Sequence, residues 1–457
     1  MKKKASVRVM LYVLLACLML CSCAKKEEPQ SVEEPPVEAS FAEGEVYTPE
    51  LTTEITVSLR HGEITELDKL SGLVRADLRG SEDYEEVYQW AQAHPEVSVS
   101  YTVPLPNGTV VDERVTELDL RGMGPGKTEE LLRALRCLPK LSRVELGDES
   151  EGLTLEEVAQ LEEALPDVRF TYAFTVYGVS ASTTDTKLNL SHIPVEDGGA
   201  QVRQAMACMP KLSYLDMDSC GVSNEEMAAI RDDFPKVKVV WRVWFGDHYS
   251  ARTDTECILA SKPSLGGELY VGNCESLKYC TDVRYLDIGH NPSLTTIDFI
   301  RYMPKLEVAI LAMCAWTDGS PLACCPELEY LELQPDTAYE GAISDLTPLS
   351  GLQKLRHLNL CNTSVMDISP LYGLTKLERL WLGGWVNVSM DQIEEMKRCA
   401  PDCEINYTCG DPTEGHWRYV DFNELNYTFI LHPRYQLLRE QFRYDEPDAY
   451  SIDWDNY

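Results

Sequence analysis

Leu355, Leu358 and Leu360 occupy the first, fourth and sixth places of LRHLNL, and Leu377, Leu380 and Leu382 repeat that spacing 22 residues later in LERLWL. Between the two lie Val365, Ile368, Leu371 and Leu374. The same frame recurs upstream at Leu73/Ala76/Leu78, Val115/Leu118/Leu120, Leu141/Val144/Leu146 and Leu212/Leu215/Met217. It returns at Val283/Leu286/Ile288, Leu306/Ala309/Leu311 and Leu328/Leu331/Leu333. An alternation of period two predicts a short strand with its apolar side chains on one face. The intervening stretches change period. In TEELLRALRCLPKL, from Thr128, Leu131, Leu135 and Leu138 share one helical face.

Residues 345–385 carry the pattern most fully, and there the unit resembles the internalin-like class of leucine-rich repeats, L-x-x-L-x-L-x-x-N-x-I-x-D-I-x-x-L. The resemblance is looser elsewhere. It implies an α/β leucine-rich-repeat solenoid: a curved parallel β-sheet with helices and turns on the convex side. One such unit cannot cover its own apolar face, so neighbours must stack.

A longer period overlies the amino half. Pro95, Pro166 and Pro235 are spaced by 71 and 69 residues, and Pro139 and Pro210 by 71. The first three open extended, aromatic-bearing segments, VSVSYTV, VRFTYAFTVYG and VKVVWRVWFG. These predict extended strands or hairpins interposed between repeats. Their aromatic residues Tyr172, Phe174, Tyr177, Trp241, Trp244 and Phe245 read mainly as packing between modules. Pro401 opens a weaker copy. The array divides into amino-half repeats over 51–260, in modules of about 70 residues, and carboxy-half repeats over 261–410. Residues 411–457 lack the repeat and read as a carboxy-terminal cap, with HPRYQLLREQF a short helix.

The amino end carries an address. Lys2, Lys3, Lys4 and Arg8 precede an apolar run from Val9 to Leu20. That run is too short for a hydrocarbon core of about 30 Å, so residues 1–22 read as a secretory signal. Leu20-Cys21-Ser22-Cys23 resembles the lipobox of bacterial lipoproteins, which makes Cys23 the lipidated first residue of the mature chain. Cys21 fits worse, because Leu20 would fill the small position before it. Residues 23–50, rich in Glu and Pro, read as a disordered acidic tether. The expected location is extracytoplasmic, at a bacterial membrane, with contact to that membrane through the lipid only.

Charge narrows the partners. Lys and Arg number 41 against 75 Asp and Glu, a net charge of −34, which excludes nucleic acid as a default partner. Of the 16 cysteines, Cys220 and Cys314 share with Asn291 the turn position after a strand. Cys137, Cys208, Cys324 and Cys399 each stand two residues before a proline and are expected to face the core, as is Cys257, aligned with Leu188. Disulfides at Cys274/Cys280 or Cys403/Cys409, and a vicinal redox pair at Cys324-Cys325, are the weaker alternatives. No Walker loop, H-E-x-x-H or G-x-S-x-G occurs. No enzyme activity, cofactor or metal is expected; a carboxylate-based hydrolase is a remote alternative.

The candidate chemistry is recognition on the concave face. Side chains between the leucines point away from the core, so successive strands stack Tyr285, Val308, Tyr330, His357 and Arg379 in one column. Asp287, Ile310, Glu332, Asn359 and Trp381 form its neighbour, each column about 20 Å long. Tyr285, Asp287, Tyr330, Glu332, His357, Asn359, Arg379 and Trp381 are the candidate ligand-binding residues. Aromatic rings interleaved with polar groups suit a protein, peptide or glycan ligand, with adhesion one such role. The alternative is a structural envelope scaffold or spacer with no dedicated ligand. In the amino half the columns read Arg75, Glu117, Arg143, Lys187 beside Asp77, Asp119, Glu145, Asn189, a solvated ladder of mixed sign.

Overall fold

The structure is a computed structural model that describes residues 38–335, 343–383, 386–408, 417–423 and 428–453, except 43 and 45. The signal segment, Cys23 and most of the tether lie outside the described residues. The chain divides into two compact units, residues 1–115 with 133–140, and residues 116–132 with 141–457.

In the first unit, strands Glu54–Thr56, Arg75–Asp77 and Ser98–Ser100 form a parallel sheet in the register Ile55↔Ala76↔Val99. A 3-10 helix, Glu63–Lys69, and an α-helix, Tyr84–Ala93, alternate with them. Leu67, Ala76, Leu78 and Val87 form the core of this layer. Trp90 joins them with its ring and donates its indole N–H to Asp68, 2.7 Å away. The end of the expected tether is built into this unit. Ala39–Ser40 pairs with Val46–Tyr47, Phe41 is buried, and Glu63 and Glu66 accept the Ala42 and Ser40 amides.

The second unit holds strands Glu117–Asp119, Arg143–Asp148 and Arg169–Val176, then Lys187–Asn189, Tyr214–Asp216 and Lys238–Val240, each set of three parallel. Every triplet, in either unit, is followed by an antiparallel hairpin. The hairpins are Thr102–Pro104 with Val110–Asp112, the far half of Arg169–Val176 with Val179–Ser182, and Arg242–Phe245 with Tyr249–Arg252. The 70-residue period is therefore three repeat strands plus one hairpin. A shared corner turns the chain. Tyr101, Tyr172 and Trp241 are buried, and their amides donate to the side chains of Glu113, Thr183 and Thr253. In return the amides of those three donate to the aromatic residues' carbonyls.

Between Cys257 and Asn406 no hairpin intervenes among the described residues, and seven strands pair in sequence order: Cys257–Leu259, Tyr285–Asp287, Val308–Ile310, Tyr330–Glu332, His357–Asn359, Arg379–Trp381 and Glu404–Asn406. Ile258, Leu286, Leu331, Leu358 and Leu380 point to the core and are fully buried. The segments between most of these strands are 3-10 turns rather than the α-helices of the amino half. Ser320, Thr347 and Ser369 each precede a proline at the first turn, and Leu322, Leu349 and Leu371 then plug the core. The amino-half helices Leu155–Ala164 and Asn224–Asp233 instead begin with capping boxes, Thr154/Glu157 and Ser223/Glu226.

The turn position behaves as its spacing predicts. Asn291 donates to the carbonyls of Ala260, Ile288 and Gly289, and the Cys220 and Cys314 thiols donate to Leu190 and Ile288. The pre-proline position splits. Cys137 and Cys208 are buried, whereas Cys399 is half-exposed at the end of an α-helix and Cys324 is exposed, the shorter 3-10 turn Ser320–Cys324 directing Cys325 inward instead. Cys257 also departs from expectation. It pairs with Tyr285 in the column away from the leucine core, and Ile258 takes the inward place.

Candidate functional site

The ladder sets the predicted columns in register: Tyr285↔Val308↔Tyr330↔His357↔Arg379, and Asp287↔Ile310↔Glu332↔Asn359↔Trp381. All eight candidate residues are thus brought onto one face. That face is not open. Of the eight only Tyr285 is half-buried; the rest are buried, and Trp417, Arg418, His432, Gln441, Phe442 and Tyr444 of the tail lie against this face. The segment read as an end cap covers the face of the sheet instead.

Glu332 is the centre of this contact. It is 0 % exposed. Its carboxylate accepts from the Trp417 indole at 2.9 Å, from Arg418 at 2.5 and 3.2 Å, and from the Tyr330 hydroxyl. Burial alone would push its pKa up, but the Arg418 guanidinium and these hydrogen bonds outweigh it and hold the group below the usual glutamate value. Trp417 packs against Tyr330 and Trp381, with ring centroids 5.5 Å apart in each case. Arg379 donates to the Trp417 carbonyl at 2.7 Å and to Glu404 at 2.9 Å, and stacks over Trp381 at 4.2 Å.

The second carboxylate differs. Asp287 accepts from the Tyr444 hydroxyl at 2.6 Å, from Ser261 and from the Gly289 amide. None of these partners carries positive charge, so burial raises its pKa. Beside it, the Tyr285 hydroxyl takes a bond from Gln441, and its ring meets Phe442 edge-on. Tyr249 and Ile452 form an isolated antiparallel bridge, and Trp244 donates its indole N–H to Asp453 at 2.8 Å. The aromatic residues of the hairpins thus divide. Tyr172, Phe174, Trp241 and Phe245 are buried, Tyr177 is half-buried, and Trp244 is exposed.

One edge of the covered face opens into a cleft of about 340 Å³. Glu329, Arg356, His357 and Glu378 line it from the sheet. His432, Pro433, Arg434 and Leu437 line it from the start of the helix Pro433–Phe442. Arg356 pairs with Glu378 at 2.6 Å, and Arg434 stands 3.8 Å from Glu329. His357 packs against Tyr330, Trp417 and His432. Burial, followed by the charges around it, lowers the pKa of His357 to about 3. Burial also lowers that of His432. Both imidazoles are neutral near pH 7, and Nδ1 of His357 is buried with no hydrogen-bond partner.

Sequence reasoning placed His357 in this region but missed the other seven lining residues and the tail's Trp417, Arg418 and Tyr444. One signal exists, for the lining residues that the sheet supplies. Arg284, Glu307, Glu329, Arg356 and Glu378 occupy the position just before each outward column, a third, charged column. Trp417, Arg418 and Tyr444 carry no such periodic mark; they are found only through their contacts with Glu332 and Asp287.

Among the described residues, no group of three or more His, Cys, Asp or Glu is placed to hold a metal ion. No helix among them is long and apolar enough to cross a membrane.

One short strand per repeat, in parallel sheets ordered along the chain, with a helical segment or a hairpin between successive repeat strands, has the form of a leucine-rich-repeat fold. No family model and no curated protein matches the chain. Solved structures do. The chain is similar to an internalin of Listeria monocytogenes at 17% identity, covering 80% of this chain and 84% of that one, with a TM-score of 0.30. It is similar to internalin C2 of the same organism at 18%, covering 49% and 80%, with a TM-score of 0.28. It is also similar to a leucine-rich-repeat protein of Leptospira interrogans at 15%, covering 79% and 96%, again with a TM-score of 0.28.

Proposed function

We propose that the chain is a non-enzymatic binding protein outside the cytoplasmic membrane, held to a bacterial membrane by lipidated Cys23, that recognises a protein, peptide or glycan. The observation that carries this reading is the cleft at His357. There the polar sheet face and the carboxy-terminal segment jointly form a concave surface, lined by groups of both charges and two neutral imidazoles. The recognition surface is then composite, part sheet and part tail, rather than the bare columns.

Leu437 is 50% exposed at the cleft, so Leu437→Lys fills the site without disturbing the core. A pull-down from the native envelope tests the reading: the variant loses partners that the wild type retains. An identical set of partners for both overturns it. Cys23→Ser tests the anchor, with the expectation that the protein moves from the detergent phase to the aqueous phase.

A second reading, a structural scaffold or spacer, is favoured by the burial of seven of the eight candidate residues beneath the chain's own tail. In that reading the tail stiffens the array and neither protein captures a specific partner.

A further inference from the structure

The geometry points to a neutral saccharide, one or two units at the end of a glycan, as the ligand of the cleft at His357. This inference rests on the binding reading above and names its ligand class. Size comes first. A volume of about 340 Å³ lies at the small end of ligand sites, enough for a terminal sugar and too little for a folded epitope.

Charge comes second. The two arginines of the lining are offset by two glutamates, Arg356 by Glu378 and Arg434 by Glu329. An anionic or cationic ligand would have to displace one member of a pair and leave its partner uncompensated. The net charge of −34 adds a long-range penalty for anions.

Hydrogen-bonding capacity comes third. Each Arg–Glu pair presents donors beside acceptors, the pattern that adjacent hydroxyls need, because every hydroxyl both donates and accepts. Two neutral imidazoles, His357 and His432, extend that mixed lining. Finally, Pro433 and Leu437 supply an apolar patch for the C–H face of a sugar ring.

The test uses the full chain in detergent against immobilised neutral hexoses, pentoses, N-acetylhexosamines and their disaccharides. Sialylated and uronic-acid glycans and short peptides serve as the contrasting probes. Leu437→Lys, Glu378→Gln and Arg356→Gln alter half-exposed side chains, and an unchanged melting temperature establishes that each variant folds. Wild type is expected to bind a neutral saccharide, each cleft variant at least tenfold more weakly, and Leu51→Lys, a surface change in the other unit, equally well. Absence of saccharide binding, or saccharide binding indifferent to all three cleft variants, overturns the assignment. Peptide or acidic-glycan binding that those variants abolish also overturns it, while leaving the binding reading intact. Partners indifferent to Leu437→Lys in the envelope pull-down overturn that wider reading instead.

Discussion

Arg418 forms a two-pronged ion pair with Glu332, 86 residues earlier in the chain, at 2.5 and 3.2 Å. The pair fastens the tail to the sheet at a position with no access to water on the carboxylate side. Removing one partner of a buried pair leaves the other charge uncompensated, which costs about 3–5 kcal/mol. Arg418→Ala is therefore expected to lower unfolding stability by that amount and to expose residues near 417–453 to protease. Replacing both partners by apolar residues, Glu332→Leu with Arg418→Met, is expected to recover most of the loss. A single variant within about 1 kcal/mol of wild type would refute the fastening role.

Protonation acts on the same contact from two directions. His357 has a folded pKa of about 3 against an ordinary 6.5, so its contribution is complete above pH 6.5 and is lost as pH falls from there toward 3. At about 1.4 kcal/mol per pH unit, the loss at pH 5 is about 2 kcal/mol, and His432 shifts in the same direction. Asp287 opposes this. Its raised folded pKa favours the protonated form, so its contribution is greatest below the unfolded value and fades as pH rises through the folded one. Glu332, with a lowered pKa, begins to destabilise only below its unfolded value near 4.5. Asp287→Asn removes the opposing group, and the tail is then expected to loosen more steeply as pH falls from 6.5 toward 4 than in wild type. Limited proteolysis across that range measures it, and parallel slopes for the two proteins would contradict the assignment.

The sheet register was legible because a strand has a period of two: once Leu355, Leu358 and Leu360 are placed, His357 and Asn359 must share the opposite face. The 70-residue period was legible through Pro95, Pro166 and Pro235, though not as three strands and a hairpin. The corner that closes each module joins Tyr101 to Glu113 but Tyr172 to Thr183 and Trp241 to Thr253, so no single residue type marks it. The tail's position was not legible. Its contacts span 85, 86 and 157 residues and follow no period, so nothing local distinguishes Trp417 or Tyr444 as partners of the face from residues that close an end.

The corner itself is a stability determinant. Thr183 accepts the Tyr172 amide at 3.1 Å and donates to the Phe170 carbonyl at 2.7 Å, and it is buried. Thr183→Val keeps the shape and leaves both backbone groups without a partner. Each orphaned buried group costs about 1–3 kcal/mol. The expected outcome is a lower denaturation midpoint for Thr183→Val, while Thr184→Val, at a less buried neighbour, stays near wild type. Equal midpoints for the two variants would remove the corner from the account.

Cys324 and Cys325 are neighbours with opposite environments. Cys324 is exposed at the end of the 3-10 turn Ser320–Cys324. Cys325 is buried, its thiol 3.6 Å from the Ile300 carbonyl, and burial pushes its pKa up to about 12. Cys280 and Cys314 are raised to about 12 by the same cause. The thiolate is the reactive form, and it needs a path to the reagent. Alkylation of the folded protein near pH 8, read by mass spectrometry, is therefore expected to modify Cys324 first among the described cysteines. Cys325, Cys280 and Cys314 should react only on unfolding. A vicinal disulfide would make Cys324 as unreactive as Cys325 until reductant is added. That outcome would restore the redox pair and require the turn after Leu322 to rearrange, since Cys325 occupies the core in the reduced form.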